Sequence, residues 1–389
     1  MKILHTSDWH VGKVLKGQPR IAEQIAVLAQ VVEIARAEQP DLIIVAGDLY
    51  DTAAPTPDAT RVVTRALSAL RGTGAQLVAI GGNHDNGAAL DALRPWAEAA
   101  GITLRGSVRD SAADHLIEGT TDDGQLWRLI ALPFLSQRYA VRAVEMYDLT
   151  AAEATQTYAD HLGRLIGRLA ENFDTPGVVN LVTAHLTVVG GRMGGGEREA
   201  HSVLSYAVPS TLFPTNTHYV ALGHLHRAQQ VPGPCPIHYS GSPFAVDFGE
   251  EENTPSVTIV EVTAQTAAKV REVPVTAATP LHTVRGTLTE LAELATPVGD
   301  GQPDAWLRVF VREAPRAGLR EEVQELLPRA LEVRIDPEFM PTRDTGVRRA
   351  RRSGRAPGEL FADYLESRGH TDDDGVRALF DELFEEVGR

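Results

Sequence analysis

Five short segments of this 389-residue chain concentrate aspartate, histidine and asparagine, and each directly follows an apolar run that predicts a β-strand. The segments are Asp8-Trp9-His10, Gly47-Asp48-Leu49-Tyr50-Asp51, Gly82-Asn83-His84-Asp85, Ala184-His185-Leu186 and Gly223-His224-Leu225-His226. In open α/β sheets, ligands bind outside the carboxyl ends of the strands. The pattern therefore favours a fold in which five strand ends, distant in sequence, converge on one site.

The apolar runs alternate with helical patterns, which predicts a layered α/β domain with its helices on the outside. A helix is expected over Ile21–Glu38, because apolar residues recur there on one stripe. Thr56-Pro57-Asp58 predicts a second helix start, with a capping hydroxyl, a proline in the first turn and an acid near the positive end of the helix dipole. The predicted strands are 2–6, 42–46, 77–80, 127–132, 178–183, 219–222 and 237–239.

A smaller unit is expected to begin near Pro274, with a βαβαβ pattern over residues 281–335. Its first helix opens with a predicted capping box, Thr287-Leu288-Thr289-Glu290. A basic linker around Arg348–Arg355 and two short amphipathic helices follow it. The sequence thus predicts three parts, 1–270, 271–340 and 341–389.

The two terminal helices, of roughly 11 residues each, are marginal alone in water, so their apolar faces must dock on something. Packing on the body of this chain and docking on a partner protein are both open, and we favour the partner.

Composition excludes several classes of protein. A hydrophobic fraction of 43% with 23% charged residues is incompatible with wholesale disorder. The chain contains no run of about 18 apolar residues that could span a membrane. It has one cysteine, Cys235, and its first residues turn polar before a signal-peptide core could form, so we expect a cytoplasmic protein. The net charge of −15 argues, weakly, against nonspecific coating of nucleic acid.

The side chains of the five segments indicate which ions they would bind. Carboxylates, imidazoles and one amide oxygen, without a thiolate, favour Mn²⁺, Fe or Zn over an all-oxygen Mg²⁺ or Ca²⁺ site. Seven groups are too many for one tetrahedral site and suit two ions that share a carboxylate. Two ions roughly 3.5–4 Å apart form the usual clamp for phosphoryl transfer. The seven predicted ligands are Asp8, His10, Asp48, Asn83, His185, His224 and His226.

This ordered set resembles the motifs of the calcineurin-like metallophosphoesterase superfamily. The opening run from Ile3 to Gly12, and Ser240-Gly241-Ser242-Pro243, are similar to those of the bacterial SbcD nuclease family in particular. The resemblance implies a metallophosphoesterase β-sandwich flanked by helices over residues 1–270. It also implies a small α/β capping domain that binds DNA and a C-terminal helical arm that docks on an ATPase.

The resemblance also implies a role for each residue. One ion would be held by Asp8, His10, Asp48 and His226, and the other by Asp48, Asn83, His185 and His224, with Asp48 as the bridge. Mn²⁺ is the implied activating ion, with Mg²⁺ as a substitute, and His84 would stabilise or protonate at the scissile phosphate. Some relatives carry a second histidine three residues after the bridging aspartate, where this chain has Asp51; that side chain could orient a ligand or cap the loop.

By the same resemblance the protein is a nuclease of DNA repair, recombination and replication. It would cut double-strand ends 3′ to 5′ and cleave single strands and hairpins, in complex with the SMC-like ATPase SbcC. It would form a homodimer through the helices after Thr56 and near Ala88.

Two other functions are open from the sequence: a hydrolase of a small phosphodiester or a phosphoprotein, and a non-catalytic adaptor for DNA ends. Gly190–Gly196 is interpreted as a flexible loop that orders on substrate, because it lacks the Gly-Lys-Ser/Thr of a phosphate loop. Trp306, Arg308, Phe310 and Arg312 share one face of a strand. That face suits either nucleic-acid contact or half-burial with the arginines reaching solvent.

The role of His84 yields the first prediction. A His84→Ala variant should bind both metals and lose most hydrolysis, because a positioned histidine acid typically contributes about 10²–10⁴-fold. Metal binding and nuclease rates of the variant and the parent protein measure this. Full nuclease activity in the variant would show that the role is assigned wrongly.

Overall fold

The computed structural model describes residues 1–109, 111, 114–136, 158–197, 207–295, 305–340, 361–362, 365, 375–376 and 378–380. Its strands are β1 Lys2–Thr6, β2 Val14–Leu15, β3 Gln18–Pro19, β4 Leu42–Ala46, β5 Gln76–Ile80, β6 Ile102–Arg105, β7 Leu116–Thr120, β8 Leu126–Leu132, β9 Val178–His185, β10 Thr187–Val188, β11 Ala207–Val208, β12 Tyr219–Gly223, β13 Gln229–Val231, β14 Ile237–Tyr239, β15 Ser256–Thr263, β16 Thr266–Pro274, β17 Leu281–Gly286, β18 Trp306–Val311 and β19 Ala330–Ile335. Its helices are α1 Ile21–Glu38, α2 Pro57–Arg71, α3 Gly87–Ala92, α4 Arg94–Ala99, α5 Tyr158–Leu169, α6 Leu288–Ala295 and α7 Leu319–Leu326.

Two six-stranded sheets form the body of the chain. The first has the order β16-β15-β1-β4-β5-β6, and the second has the order β13-β14-β12-β9-β8-β7. In the first sheet β1, β4, β5 and β6 run parallel, and in the second β8, β9, β12 and β14 do so. The parallel strands of each sheet therefore end on the same edge, which is where the polar segments lie.

Successive side chains of β4 point to opposite faces of the first sheet and show how the layers are arranged. Ile44 packs with Leu129 and Leu181 of the second sheet, in a core between the two sheets. Its neighbour Ile43 faces the other way and packs with Val31 of α1 and Leu67 of α2. A strand buried on both faces reads as a continuous apolar run, as Leu42–Ala46 does.

Helix α5 covers the outer face of the second sheet. Leu162, Ile166 and Leu169 pack there against Val182 and Leu222. The layers are therefore helix, sheet, sheet and helix, and the predicted helix-flanked β-sandwich is confirmed.

The sequence signals at the helix ends are also confirmed. Helix α1 spans the predicted residues, and the Thr56 hydroxyl accepts the N–H of Ala59 at 3.2 Å at the start of α2. Both reciprocal hydrogen bonds of the capping box form at the start of α6. The Thr287 N–H donates to Glu290 Oε2 at 2.8 Å, and the Glu290 N–H donates to Thr287 Oγ1 at 3.3 Å.

The small module contains a three-stranded sheet, β17-β18-β19, with α6 and α7 in its connections. It is joined to the two-sheet body by polar contacts around α1. Trp306 Nε1 donates to Glu23 Oε1 at 2.9 Å, and the Thr279 N–H donates to Glu23 Oε2 at 3.0 Å. Lys16 pairs with Glu332 at 3.5 Å. The module therefore sits beside the loop that leaves β1.

The chain divides into two compact units, Met1–Val311 with Gly318–Arg334, and Arg312–Ala317 with Ile335–Arg389. The predicted basic linker and most of the two terminal helices lie outside the described residues. Of these helices, Phe361 and Phe380 stack with ring centroids 4.1 Å apart, and Leu365 is buried. Among the described residues, no helix is long and apolar enough to cross a membrane.

Glycines stand where the carboxyl ends of the two sheets touch. A methyl group on Gly223, at the end of β12, would overlap the carbonyl oxygen of Ala46, at the end of β4. A methyl group on Gly47 would overlap the ring of His185, and one on Gly82 would overlap Asp48. The two sheets therefore approach each other so closely at this edge that only glycine, which has no Cβ atom, fits there.

This packing predicts the effect of Gly223→Ala. The variant should lower the free energy of unfolding by about 1–3 kcal/mol, the usual cost of overpacking a core. Gly163→Ala in α5 is the matched control, since a methyl group there meets no atom within 4 Å and alanine favours a helix by roughly 0.5–1 kcal/mol. Urea unfolding in the presence of a chelator measures both. A Gly223→Ala protein as stable as the parent would contradict the close approach.

Candidate metal centre

All eight residues predicted for the site lie together at the shared edge of the two sheets. Asp8 and His10 follow β1, Asp48 follows β4, and Asn83 and His84 follow β5. From the second sheet come His185, the last residue of β9, and the two histidines that follow β12, His224 and His226. Apart from Asn83, these side chains are nearly or fully buried.

The loops that carry these residues have strained backbones. Asp8, His10, Asp48 and His224 have φ values of 53°, 43°, 50° and 102°. Non-glycine residues rarely adopt this left-handed region, and it persists where surrounding structure enforces it, often at functional sites. Only two other non-glycine residues in the described part of the chain share it, Lys16 and Gln39. The strain is therefore concentrated in the predicted ligands.

Backbone and carboxylate hydrogen bonds lock the loops of the first sheet to one another. The Asp8 N–H donates to the Gly47 carbonyl, and the His10 N–H donates to the Asp48 carbonyl, both at 3.0 Å. Asp85 is a clamp between the next two loops. Its carboxylate accepts the N–H groups of Leu49 at 3.1 Å, Tyr50 at 3.0 Å and Gly82 at 2.8 Å.

One half of the cluster gathers around His10. Its Nε2 lies 3.0 Å from His226 Nε2 and 3.6 Å from Asp48 Oδ2. Ligand atoms of Asp8, His10 and His226 all lie within 4.8 Å of one another. These are three of the four residues assigned to the first ion.

The other half gathers around Asn83. Its Oδ1 lies 2.8 Å from His185 Nε2 and 2.9 Å from His224 Nδ1. Asp48 Oδ2 lies 3.4 Å from His185 Nε2, so this oxygen stands between the two halves, where a bridging ligand must be. Two further triads have ligand atoms within 4.8 Å of one another: His10, Asp48 and His84, and Asp8, Asp48 and His185, and the second of them crosses this division.

In three of the candidate histidines, the ring nitrogen that is turned away from the centre faces an oxygen atom. His185 Nδ1 donates to the Ala46 carbonyl at 2.8 Å, and His226 Nδ1 contacts Glu250 Oε1 at 2.5 Å. His10 Nδ1 lies 3.6 Å from Asp51 Oδ1. Metal-binding histidines almost always present the hydrogen-bonded arrangement of His185 and His226, because an acceptor on one ring nitrogen leaves the lone pair on the other. The donor set fits divalent cations.

The buried carboxylates and imidazoles of the cluster shift one another's pKa values. Burial raises the pKa of Asp8 to about 6. Burial also acts to raise the pKa of Asp48, but His185 outweighs it and holds that pKa well below its ordinary value. Burial disfavours charge on both His185 and His226, yet Asp48 raises the pKa of His185 to about 9, and Glu250 raises that of His226 to about 10. A bound cation would take over the charge that these protons supply.

His84 lies against His10 and Asp48, although it is not one of the seven predicted ligands. Its Nδ1 donates to the Asp51 carbonyl at 2.8 Å, and its N–H donates to Asp48 Oδ1 at 2.8 Å. Its ring meets that of His10 edge-on, with centroids 4.6 Å apart. The contact through Nδ1 fixes the ring and retains a proton on Nδ1, so Nε2 is the nitrogen that gains and releases the second proton of the imidazolium.

Asp51, which stands where some relatives carry a histidine, has a place in the structure. It pairs with Lys13 at 3.2 Å as well as facing His10. Burial acts to raise its pKa, but His10 and Lys13 outweigh burial and lower it to about 2. Of the two roles open for Asp51, orientation of a ligand is the one that these contacts favour.

Several supporting residues were missed by the sequence analysis. Ser7 donates to Asp8 Oδ2 at 2.5 Å, and Ser242 donates to the Asp8 carbonyl at 2.8 Å, so the Ser-Gly-Ser-Pro segment braces the first metal loop. Glu250 and Glu197 both contact His226. Neither glutamate lies at a spacing that identifies it as part of a site. Ser242 lies in the Ser-Gly-Ser-Pro segment that resembles the SbcD family.

Comparison with known proteins places the chain in a family. The calcineurin-like phosphoesterase family matches residues 1–228, and the type 5 capsule protein repressor C-terminal domain matches residues 277–368. The SbcD subunit of the SbcCD nuclease of Bacillus subtilis is 33% identical over 327 residues, covering 82% of this chain and 81% of the relative. The chain belongs to the SbcD family of calcineurin-like phosphoesterases.

Two further relatives carry the same name. The SbcD protein of Rhodobacter capsulatus is 33% identical over 279 residues, covering 69% of this chain and 68% of the relative. That of Escherichia coli K12 is 31% identical over 322 residues, covering 80% and 78%. The predicted family is confirmed, and with it a metal-dependent nuclease that hydrolyses phosphodiester bonds. The use of divalent metal is likewise supported by the family and by the Asp/His cluster. The individual ligand assignments stay predictions.

The raised pKa values of His185 and His226 predict that metal binding releases protons. A histidine ligates only through a deprotonated nitrogen, so a cation bound by these rings would displace the protons that their raised pKa values retain at pH 7. The apparent affinity for Mn²⁺ should therefore rise between pH 6 and pH 8, by about tenfold per pH unit for each proton released. Titration calorimetry in buffers of different ionisation enthalpy counts the protons. An affinity that does not change with pH would contradict this balance of charge.

Proposed function

We propose that this chain is the nuclease component of a DNA-processing complex and cleaves DNA with two Mn²⁺ ions. The observation that carries the proposal is the convergence of seven candidate ligands, with Asp48 Oδ2 between the two halves. Asp8, His10, Asp48 and His226 would hold one ion, and Asp48, Asn83, His185 and His224 the other. Mg²⁺ would serve as a substitute.

Two divalent cations lower the pKa of a water molecule and neutralise the charge of the reacting phosphate. The chain itself supplies rigidity and a proton donor. The strained loops and the Asp85 clamp fix the ligands before substrate arrives, so little reorganisation is needed during the reaction. His84, whose Nδ1 donates to the Asp51 carbonyl, would in its doubly protonated form donate the Nε2 proton to the leaving oxygen.

The substrate proposed is DNA, at double-strand ends in the 3′ to 5′ direction and in single strands and hairpins. The sheet of the small module supports a nucleic-acid contact. The Arg285 guanidinium lies 4.1 Å from the centroid of the Phe310 ring, and that of Arg308 lies 5.3 Å from the centroid of Phe248. Phe248 stands two residues from Glu250, beside the metal centre. Guanidinium groups held over these rings would offer positive charge to a phosphate backbone.

The partners proposed are an SbcC ATPase and a second copy of this chain, in DNA repair, recombination and replication in the cytoplasm. The names of the relatives designate one component of an SbcCD nuclease, which supports the ATPase. Helix α2 borders an apolar groove that it shares with α1, lined by Ile25, Val62 and Ala69 among others. An apolar surface on α2 supports its proposed role in the dimer.

One comparison tests the function. With Mn²⁺ present, the protein should cleave a DNA hairpin at least about 100-fold faster than a cyclic nucleotide at equal concentration, and chelation should abolish cleavage. The Asp48→Asn variant is the control, because it removes the proposed bridge. Faster cleavage of the cyclic nucleotide would favour the small-substrate hydrolase instead. Cleavage of neither substrate, with binding of DNA ends retained, would favour the adaptor.

A further inference from the structure

A buried carboxylate outside the predicted ligand set touches one of the candidate ligands. Glu250 is 1% exposed and ends the short 3₁₀ turn Phe248–Glu250. Its Oε1 lies 2.5 Å from His226 Nδ1, and its Oε2 accepts the Val246 N–H at 2.9 Å. Both carboxylate oxygens are therefore engaged inside the protein.

The contact determines which nitrogen of His226 faces the centre. With Nδ1 turned to Glu250, Nε2 points at His10 Nε2, 3.0 Å away. A carboxylate accepts a hydrogen bond and cannot donate one, so it retains the proton on Nδ1 and leaves the lone pair on Nε2. Partners of this kind orient metal-binding histidines and raise their basicity.

We propose that Glu250 is a positioning residue that holds His226 in its metal-binding tautomer, and that the glycines of the 194–196 loop are required for this pair to form. The inference rests on the proposed function, since it takes His226 as a ligand. It gives the glycine loop a role that differs from ordering on substrate.

The glycine loop packs directly on the pair. A methyl group on Gly196 would overlap Glu250 Oε1, and one on Gly194 would lie 2.9 Å from His226 Cβ. Glu197 then holds the loop in place, because its carboxylate accepts the N–H groups of Gly195 at 2.7 Å and of His226 at 3.0 Å. His226 is thus fixed through its backbone by Glu197 and through its ring by Glu250.

The Glu250→Gln variant changes the charge of this side chain and the tautomer of His226 while it keeps the shape of the side chain. The Val246 N–H requires an oxygen opposite it, so the amide oxygen of glutamine takes that position and its NH₂ group faces His226. An NH₂ group donates to Nδ1 and so moves the ring proton to Nε2, where it blocks metal binding. The substitution is nearly isosteric, and we expect the variant to fold as the parent does.

The experiment is Mn²⁺ titration calorimetry on the full chain. The parent protein should bind two ions, and Glu250→Gln should bind one of them about 10–100-fold more weakly, the usual effect of removing such a partner. Thermal unfolding in a chelator should be close to that of the parent, and excess Mn²⁺ should restore DNA cleavage. Glu252→Gln, two residues along and exposed, is the matched control and should bind both ions normally.

Gly196→Ala tests the same pair from the other side, because its methyl group would displace the Glu250 carboxylate. It should weaken the binding of the same ion. Gly167→Ala in α5, where the added methyl group meets no atom within 4 Å, should not.

Normal binding of both ions by Glu250→Gln would overturn the inference and leave the proposed function intact. Equally weaker binding of both ions, together with lower stability in a chelator, would also overturn the inference, because the role of Glu250 would then be structural. Failure of the parent protein to bind two ions would instead refute the proposed function.

Discussion

The carboxyl ends of β4 and β12 press together at Ala46 and Gly223, and the candidate metal centre depends on this contact. Each sheet alone presents only part of the ligand set. The first sheet carries Asp8, His10, Asp48 and Asn83, while the second carries His185 and the His224–His226 pair. The hydrogen bond from His185 Nδ1 to the Ala46 carbonyl crosses the same junction and fixes the ring. Glycine at the crossing is therefore a requirement of the chemistry as well as of the packing.

Such close packing leaves charged groups without water, which is costly unless they are paired. In the present structure the pairing is internal: Asp48 faces His185 at 3.4 Å, and Glu250 faces His226 at 2.5 Å. The same carboxylates and imidazoles would attract divalent cations, whose charge would replace that of the histidines. Burial also explains why the surrounding contacts are so specific, since every carboxylate oxygen in a dry site needs a donor. Asp85, with three backbone donors from two loops, shows how this need fixes the loops themselves.

Rigid support extends beyond the ligands to the small module. Trp306 and Thr279 converge on Glu23 of α1, and Leu15 of the β2–β3 hairpin packs in one cluster with Phe248 and Leu281. Phe248 belongs to the same short turn as Glu250. The turn therefore connects the face of the module that carries arginine and aromatic residues with the histidines of the centre. A substrate gripped by the module would lie beside the metals because both surfaces share this one element.

Much of this arrangement is present in the sequence. Apolar periodicity predicts α1 and the buried strand β4, and local chemistry predicts the caps at Thr56 and Thr287, because these features depend on neighbours along the chain. The polar segments at strand ends likewise mark the seven candidate ligands. Glu250 shows the limit of such reasoning: it stands beside Glu251 and Glu252 in an acidic run, and nothing local distinguishes the one that is buried. Only the tertiary structure selects it, because the order of strands in the two sheets brings a turn 24 residues after His226 onto the ring of that histidine. Local propensity determines the elements, whereas burial and the partners of a buried charge are determined by which elements meet.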